Sequence, residues 1–281
     1  STASPVILTS LEAVLFRIMP KEALVKALEY LETGEEIDRE DLILRLERGG
    51  YLHTSLVEEA GDYSVRGGVI DIFPPLYSQP VRLDFWGSRL ESIRKFDPVT
   101  QRSTDYMKEM ILLPSSEIIM DGESMERARS KGRLPEQFAE GNGFPGQEAW
   151  LNHFYSHLDT LFDYFPDNGV VVRMDPDRTR KETDRFTEKI GRDMDRYQRG
   201  AEEKGIPFPD MDHIFLSGDE IGSIYDSYQV ADFHELKIED KRNYSRVIDI
   251  GGTSGIEDDF ELRLVGKGRI SMAPLAEKIT A

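Results

Sequence analysis

The chain of 281 residues is 39% hydrophobic and 31% charged, and it is long enough to bury the cores of two domains. It contains no cysteine, which excludes disulfides, thiolate metal sites and cysteine nucleophiles from this sequence. Its net charge of −18 disfavours nucleic-acid binding unless basic residues are clustered, because such binding gains affinity by neutralising phosphates.

No membrane or export signal is visible in the sequence. No apolar run approaches the roughly 18 residues of a membrane-spanning helix, and no basic segment leads into an apolar one as in a signal peptide. These patterns and the lack of cysteine predict a cytoplasmic protein without membrane contact.

Helix signals dominate the first fifty residues. The capping box Thr9–Glu12 predicts a helix that runs to the residue before Pro20. The segment Ala27–Leu31 fits a helix or a strand equally well. Asp38 caps a further helix with an apolar stripe, and Gly49-Gly50 ends it.

The stretch Gly61–Phe96 predicts consecutive antiparallel strands. It is rich in β-branched and aromatic residues and is interrupted by turn signals such as Gly67-Gly68 and Gly87-Ser88. A strand over Tyr51–Glu59 precedes it, and further strands follow as far as Pro114. Helices followed by a run of strands predict an α+β module.

The segment Val81–Trp86 carries an unusual set of outward side chains. Side chains alternate between the two faces of a strand, so Arg82, Asp84 and Trp86 share one face. The opposite, predicted core face carries Val81, Leu83 and Phe85. Arginine and tryptophan are enriched at binding hot spots, which favours a binding face. The alternative is that this face has no binding role and that Trp86 folds back against a helix.

The neighbouring segment Asp62–Arg66 follows the same alternation, which predicts Ser64 and Arg66 on the outward face. Between residues 61 and 102, six basic and five acidic side chains give 6 − 5 = +1, on a chain of net charge −18. This stretch suits an acidic or mixed protein partner better than nucleic acid.

The composition changes after Pro114. Short helices are predicted over Ser124–Lys131 and Gln147–Leu161, and a buried strand over Val170–Met174. A long helix over Asp177–Glu203 carries an apolar stripe that most simply packs inside the protein. The stripe consists of Phe186, Ile190, Met194 and Tyr197.

The end of the chain has weaker signals. Gly218–Tyr228 reads as a helix and Val230–Ile238 as a strand. Residues 241–281 look looser, with the beginning of a further element near the end.

Residues 62–75 (DYSVRGGVIDIFPP) and 80–103 (PVRLDFWGSRLESIRKFDPVTQRS) form a long motif of low degeneracy. The motif resembles the UvrB-like amino-terminal region of the transcription-repair coupling factors, a module that they share with the excision-repair protein UvrB. The resemblance runs more weakly from about Val6 to about Tyr228.

The resemblance implies a fold and a domain organisation. An antiparallel-sheet insert module would lie within a split, degenerate nucleotide-binding-like α/β domain. Residues 1–19 and 114–228 would be two pieces of that outer domain, and 20–113 the inserted α+β UvrA-binding module. Residues 229–281 would be a linker and the start of a following domain of a longer protein.

The resemblance also implies a function, the recruitment of UvrA to stalled RNA polymerase in transcription-coupled nucleotide excision repair. The family's binding positions fall on Arg66, Arg82, Asp84 and Trp86, the last often phenylalanine in the family. Ser64 stands where UvrB proteins can carry arginine. In the longer protein, an ATP-dependent DNA translocase, RNA polymerase and duplex DNA would bind outside this chain. Truncating an outward side chain should change stability by only about 0.5 kcal/mol.

No catalytic residues, cofactor or metal are predicted for this chain. A phosphate-binding loop needs Gly-Lys-Ser/Thr, but Gly266-Lys267 is followed by glycine. His153 and His157 have a helical spacing that can bind a metal, without an identifiable third ligand. The chain itself is therefore expected neither to bind nor to hydrolyse ATP.

Two alternatives remain open at this point. The chain could belong to a UvrB-like ATP-dependent DNA-processing enzyme with a direct DNA-binding role. The helices after Pro114 could also bind a small ligand, which the sequence neither supports nor excludes.

Overall fold

The computed structural model describes residues 6–140, 143–166, 168–211 and 213–234 of the chain. These residues form an α+β protein, as the sequence predicted, and its strands pair both antiparallel and parallel. The α-helices are α1 (Leu11–Leu15), α2 (Lys21–Ala27), α3 (Arg39–Arg48), α4 (Gly122–Lys131), α5 (Glu136–Glu140), α6 (Leu151–Phe154), α7 (Pro176–Lys204) and α8 (Gly218–Asp226). The strands are β1 (Glu29–Glu32), β2 (Leu52–His53), β3 (Asp62–Arg66), β4 (Val69–Ile72), β5 (Val81–Trp86), β6 (Arg89–Phe96), β7 (Ser103–Met107), β8 (Glu109–Leu112), β9 (Val170–Met174) and β10 (Gln229–Phe233). Short 3-10 helices span Gln147–Trp150 and Leu161–Tyr164.

The largest sheet has six strands in the order β2-β3-β4-β5-β6-β7. Strand β2 is parallel to β3, and every other neighbouring pair in this sheet is antiparallel. From β3 to β7, neighbours in the sheet are also neighbours in sequence. Short connections suffice for this arrangement because the strands are antiparallel. Two smaller sheets pair β1 with β8 and β9 with β10.

One face of the six-stranded sheet packs on α3 and forms a first core cluster. Leu42 and Leu46, from the apolar stripe of α3, are buried in it. Leu83 and Ile93 are direct cross-strand partners and are fully buried in the same cluster. A slip of one residue would turn these side chains to the other face, so the cluster fixes the strand register.

Two further core clusters combine residues from before α2 with residues from after β8. The second cluster consists of Met19, Ile118, Ala128, Phe138, Trp150, Leu151, Phe154 and Ile214. The third consists of Val14, Leu15, Phe162, Leu216 and Ile221. The backbone N–H of Arg17 donates to Ile214 O at 2.8 Å, and that of Ile18 donates to Asp159 O at 2.8 Å. Segments far apart in sequence are thereby joined in one part of the fold.

The end of α3 is fastened to the chain that follows β8. The backbone N–H groups of Ser115 and Ser116 both donate to Gly49 O, at 2.8 and 3.0 Å. Gly50 has a φ of +83°, and a Cβ added to it would lie 2.4 Å from the Ser116 Cβ. Only glycine fits there without displacement, because it tolerates positive φ and has no side chain to clash.

Two elements are shorter than the sequence predicted. The N-cap of α1 is Ser10, one residue after the Thr9 of the predicted capping box, and the helix ends at Leu15. Phe16 instead forms a β-bridge with Phe215, so a tertiary pairing outweighs the local helical tendency. The strand predicted over Tyr51–Glu59 is limited to β2.

The single helix predicted over Gln147–Leu161 is wrong. A 3-10 helix leads into α6, which ends at Phe154, and Tyr155 is extended with φ −117° and ψ 153°. His153 and His157 therefore do not share a helix, and the spacing that suggested a metal pair has no structural basis.

The long predicted helix is present as α7, but its apolar stripe is covered unevenly. Thr183 and Ala201 are buried on the helix, whereas Tyr197 is exposed. Phe186 packs edge-on against Phe215, with 6.1 Å between ring centroids. The stripe thus packs as predicted at Phe186 and is open at Tyr197.

Strand β10 covers residues 230–233 of the strand predicted over Val230–Ile238, and His234 lies outside it. The predicted linker and further element at 241–281 lie outside the described residues. In the part of the chain that the structure describes, no helix is both long and apolar enough to cross a membrane.

Candidate functional site

The face of the six-stranded sheet opposite the first core cluster carries the predicted binding residues. Cross-strand partners on this face form two adjacent rows. One row joins Arg66, Val69, Asp84 and Ser92. The next row joins Ser64, Asp71, Arg82, Arg94 and Tyr106. We call this surface the arginine face and define it by Arg66, Asp71, Arg82, Asp84, Trp86, Ser92, Arg94 and Tyr106.

Asp71, on β4, forms ion pairs with two arginines of the arginine face. Its side chain is only 1% exposed. Arg82 donates from Nε to Asp71 Oδ1 at 2.7 Å and from Nη2 to Oδ2 at 2.9 Å. Arg66 donates from Nη2 to the same Oδ2 at 2.5 Å. Two guanidinium groups therefore converge on one buried carboxylate, an arrangement with strong, directional hydrogen bonds.

The sequence did not single out Asp71 as a site residue. Strand parity alone would have placed it outward on β4, between the apolar Ile70 and Ile72. A carboxylate in so apolar a strand was the available signal, because buried charges are normally paired.

Arg82 is held on three sides. Besides Asp71, its guanidinium carbon lies 4.7 Å from the centroid of the Phe96 ring, and its Nη1 donates to Gln101 O at 3.4 Å. The hydrogen bonds to Asp71 raise the pKa of Arg82 above its ordinary value. Its side chain is 17% exposed. Arg82 thus lies on the predicted face, but most of its side chain is covered, because the protein itself supplies its carboxylate partner.

The turn between β6 and β7 places the carbonyl group that Arg82 contacts. Asp97 accepts hydrogen bonds from the backbone N–H groups of Thr100, at 2.6 Å, and Val99, at 3.1 Å. The bond from Thr100 holds the pKa of Asp97 below its usual range. Gln101 has a φ of +59° and donates from its side chain to Pro98 O at 2.7 Å. These bonds fix the turn beside Arg82.

Asp84 forms a second ion-paired group on the face. Ser92 Oγ donates to Asp84 Oδ2 at 2.7 Å, and Arg94 Nε donates to the same oxygen at 3.0 Å. A further hydrogen bond joins Arg94 Nη2 to that oxygen. Asp84 was predicted on this face, but its arginine partner was not, because the pairing of β5 with β6 had to be known first.

Arg66 and Trp86 are the most accessible of the four predicted residues. The Arg66 side chain is 51% exposed, although one of its nitrogens is paired. Trp86 is 81% exposed, so the alternative in which it folds back against a helix is wrong. Ser64 shares this side of the sheet, but it is buried and contributes little accessible surface. The accessible part of the arginine face thus consists of the Trp86 indole and the Arg66 guanidinium group, next to arginines and aspartates that pair with one another.

We expect Arg82→Ala to lower the free energy of unfolding by about 2–3 kcal/mol, because buried Asp71 loses its bidentate partner. This expectation replaces the change of about 0.5 kcal/mol that an outward position suggested. Urea unfolding followed by circular dichroism measures the difference. Arg89→Ala is the matched control, since Arg89 is 57% exposed and pairs with exposed Glu91. Equal losses in the two variants would contradict the structural role of Arg82.

Comparison with known proteins shows which family the chain belongs to. Residues 30–118 match the model of the UvrB interaction domain. Over 99% of its length, the chain is 31% identical to the transcription-repair-coupling factor of Myxococcus xanthus. The chain belongs to the transcription-repair-coupling factor family. The matched range includes the motif at residues 62–75 and 80–103, which indicated the same UvrB-like region of this family.

Other members of the transcription-repair-coupling factor family are also similar. The chain is 29% identical to the Haemophilus influenzae protein over 83% of its own length, and 31% identical to the Escherichia coli protein over 59%. These matches cover 24%, 21% and 16% of the Myxococcus, Haemophilus and Escherichia proteins. The chain therefore spans a quarter or less of the length of these relatives.

Proposed function

We propose that this chain is a protein-binding region that recruits UvrA in transcription-coupled nucleotide excision repair. The match of residues 30–118 to the UvrB interaction domain carries the proposal, because that range contains the entire arginine face. The name of the domain describes an interaction, and the resemblance of the sequence motif to the transcription-repair coupling factors implies UvrA as the partner.

The chemistry of the arginine face supports a protein partner with an acidic surface. Three arginines and two carboxylates on the face give 3 − 2 = +1, on a chain of net charge −18. The exposed indole of Trp86 beside these charges provides a flat apolar contact. Complementary charge steers association and selects partners, while a central aromatic group contributes most of the affinity.

We also propose that the sheet belongs to a module inserted into a split outer domain. The first core cluster draws only on residues 31–112, whereas the other two combine residues 14–19 with residues 118–221. Ala23 and Leu24 of α2 pack against the second cluster. On these contacts, we place the start of the module at β1 rather than at residue 20, with the outer domain resuming after Pro114.

In this proposal the chain has no catalytic role and acts in the cytoplasm. Binding of RNA polymerase and duplex DNA, and ATP-dependent translocation, would belong to parts of the longer protein outside these 281 residues. Residues 234–281 would lead into the next domain, a later start than residue 229 because β10 still pairs with β9. The sequence supports this division, because it lacks a phosphate-binding loop.

A parallel binding assay tests the proposed function. The immobilised chain is exposed separately to UvrA, to RNA polymerase and to a duplex that carries a lesion. Saturable binding of UvrA alone is the expected result. Binding of RNA polymerase without UvrA, or of neither protein, would overturn the proposal.

We expect undamaged and damaged duplex DNA to bind more weakly than micromolar at about 0.15 M salt. A face with an excess of one positive charge releases too few counterions to outweigh a net charge of −18. Fluorescence anisotropy of a labelled duplex measures this binding. Sub-micromolar affinity would favour the alternative, a piece of a DNA-processing enzyme that contacts DNA directly.

A further inference from the structure

We infer that Tyr106 extends the docking surface onto the edge strand β7 and makes a second aromatic contact with the partner. This inference rests on the proposed function and names a residue that the sequence did not. Tyr106 is 77% exposed and lies in register with Arg94, which in turn lies opposite Arg82. The docking surface would then run from Trp86 on β5 across to β7.

The direction of the Tyr106 side chain is fixed by its neighbour. Met107 packs against the first core cluster and is the cross-strand partner of buried Ile93. Because side chains alternate along a strand, Tyr106 must point to the arginine face. A rotation that buried its ring would expose Met107, so the outward direction is a stable property of the strand.

Tyr106 also lies beside an ordered cation. The guanidinium carbon of Arg94 is 5.9 Å from the centroid of the Tyr106 ring, and Arg94 is held by Asp84. Partly desolvated rings near guanidinium groups are attracted to them, and the attraction grows when a partner removes water. Binding would therefore strengthen a contact that is already formed.

Folding does not account for this tyrosine. Its ring is largely in water, and among the described residues no hydrogen bond is formed by its hydroxyl group. Tyr30, on the separate β1–β8 sheet, is different, because its hydroxyl donates to Glu109 Oε2 at 2.5 Å. A large aromatic ring with an unused hydroxyl is typical of an interface residue, since its apolar body and polar tip both need a partner.

The occupant of this extended surface is UvrA rather than a second copy of the chain. A two-fold contact between identical faces would bring the arginines of one copy against those of the other. An acidic surface with an apolar slot, and an acceptor for the tyrosine hydroxyl, complements Trp86, Arg94 and Tyr106 together. The excess positive charge of the face favours this arrangement.

Calorimetric titration with UvrA tests the role of Tyr106. Tyr106→Ala is expected to weaken binding about tenfold, and Tyr106→Phe about threefold through loss of the hydroxyl alone. Tyr30→Ala is the control and should bind as the unmodified chain does. Thermal unfolding of Tyr106→Ala should be unchanged, since the side chain is exposed.

The outcomes separate this inference from the proposed function. If Trp86→Ala weakens UvrA binding and Tyr106→Ala does not, Tyr106 lies outside the interface and only the present inference fails. If the unmodified chain does not bind UvrA, the proposed function fails and the assignment of Tyr106 fails with it. A dimer in sedimentation velocity that Tyr106→Ala dissociates would assign the face to a second copy and overturn the inference.

Discussion

Trp86→Ala is expected to weaken UvrA binding about thirty- to nearly a thousandfold, which corresponds to about 2–4 kcal/mol. The indole is 81% exposed and lies at the end of β5, so its loss removes apolar contact from the proposed docking surface. Because it is exposed, the free energy of unfolding should change by only about 0.5 kcal/mol. Calorimetric titration and thermal unfolding of the same variant measure both quantities.

Trp86→Phe is the informative control for this result. Phenylalanine keeps an aromatic plane at this position, so most of the affinity should remain. If Trp86→Ala binds UvrA as the unmodified chain does, the arginine face does not take part in UvrA binding. Loss of binding that merely accompanies unfolding would lead to the same conclusion.

Leu83→Ala should have the opposite effect, lowering the free energy of unfolding by about 2–5 kcal/mol. Leu83 is fully buried in the first core cluster and lies between Arg82 and Asp84 in the strand. Its truncation leaves a cavity beneath the sheet while every side chain of the arginine face is kept. The fraction that remains folded is therefore expected to bind UvrA with unchanged affinity.

Urea unfolding measures the effect of Leu83→Ala. Leu76→Ala, in the turn between β4 and β5, is a control of identical chemistry at a residue that is exposed. Its effect should be within about 0.5 kcal/mol of zero. If both leucine variants unfold at the same urea concentration, the assignment of the core face is wrong.

Strand alternation in β5 could be predicted because it is a local property. The period of two residues follows from the geometry of an extended backbone and needs no knowledge of the neighbouring strands. It placed Arg82, Asp84 and Trp86 on one face and Leu83 on the other, as the structure has them. The same holds for the cap at Asp38, which depends on contacts within a few residues.

Pairing between side chains could not be predicted in the same way. The bidentate bond from Arg82 to Asp71 joins β5 to β4, and the bond from Arg94 to Asp84 joins β6 to β5. Each depends on a register that the packed core sets, not on the spacing within one strand. The early end of α1 has the same cause, because Phe16 pairs with a residue about two hundred positions away.

The sequence by itself determined the family motif, the missing phosphate-binding loop and the face on which the binding candidates lie. Only the tertiary structure decided how those candidates differ. Arg82 is fixed by Asp71, Phe96 and the turn after β6, whereas Trp86 remains in water. The physical reason is that strand geometry sets the direction of a side chain, whereas its partners and burial depend on segments brought together only by folding.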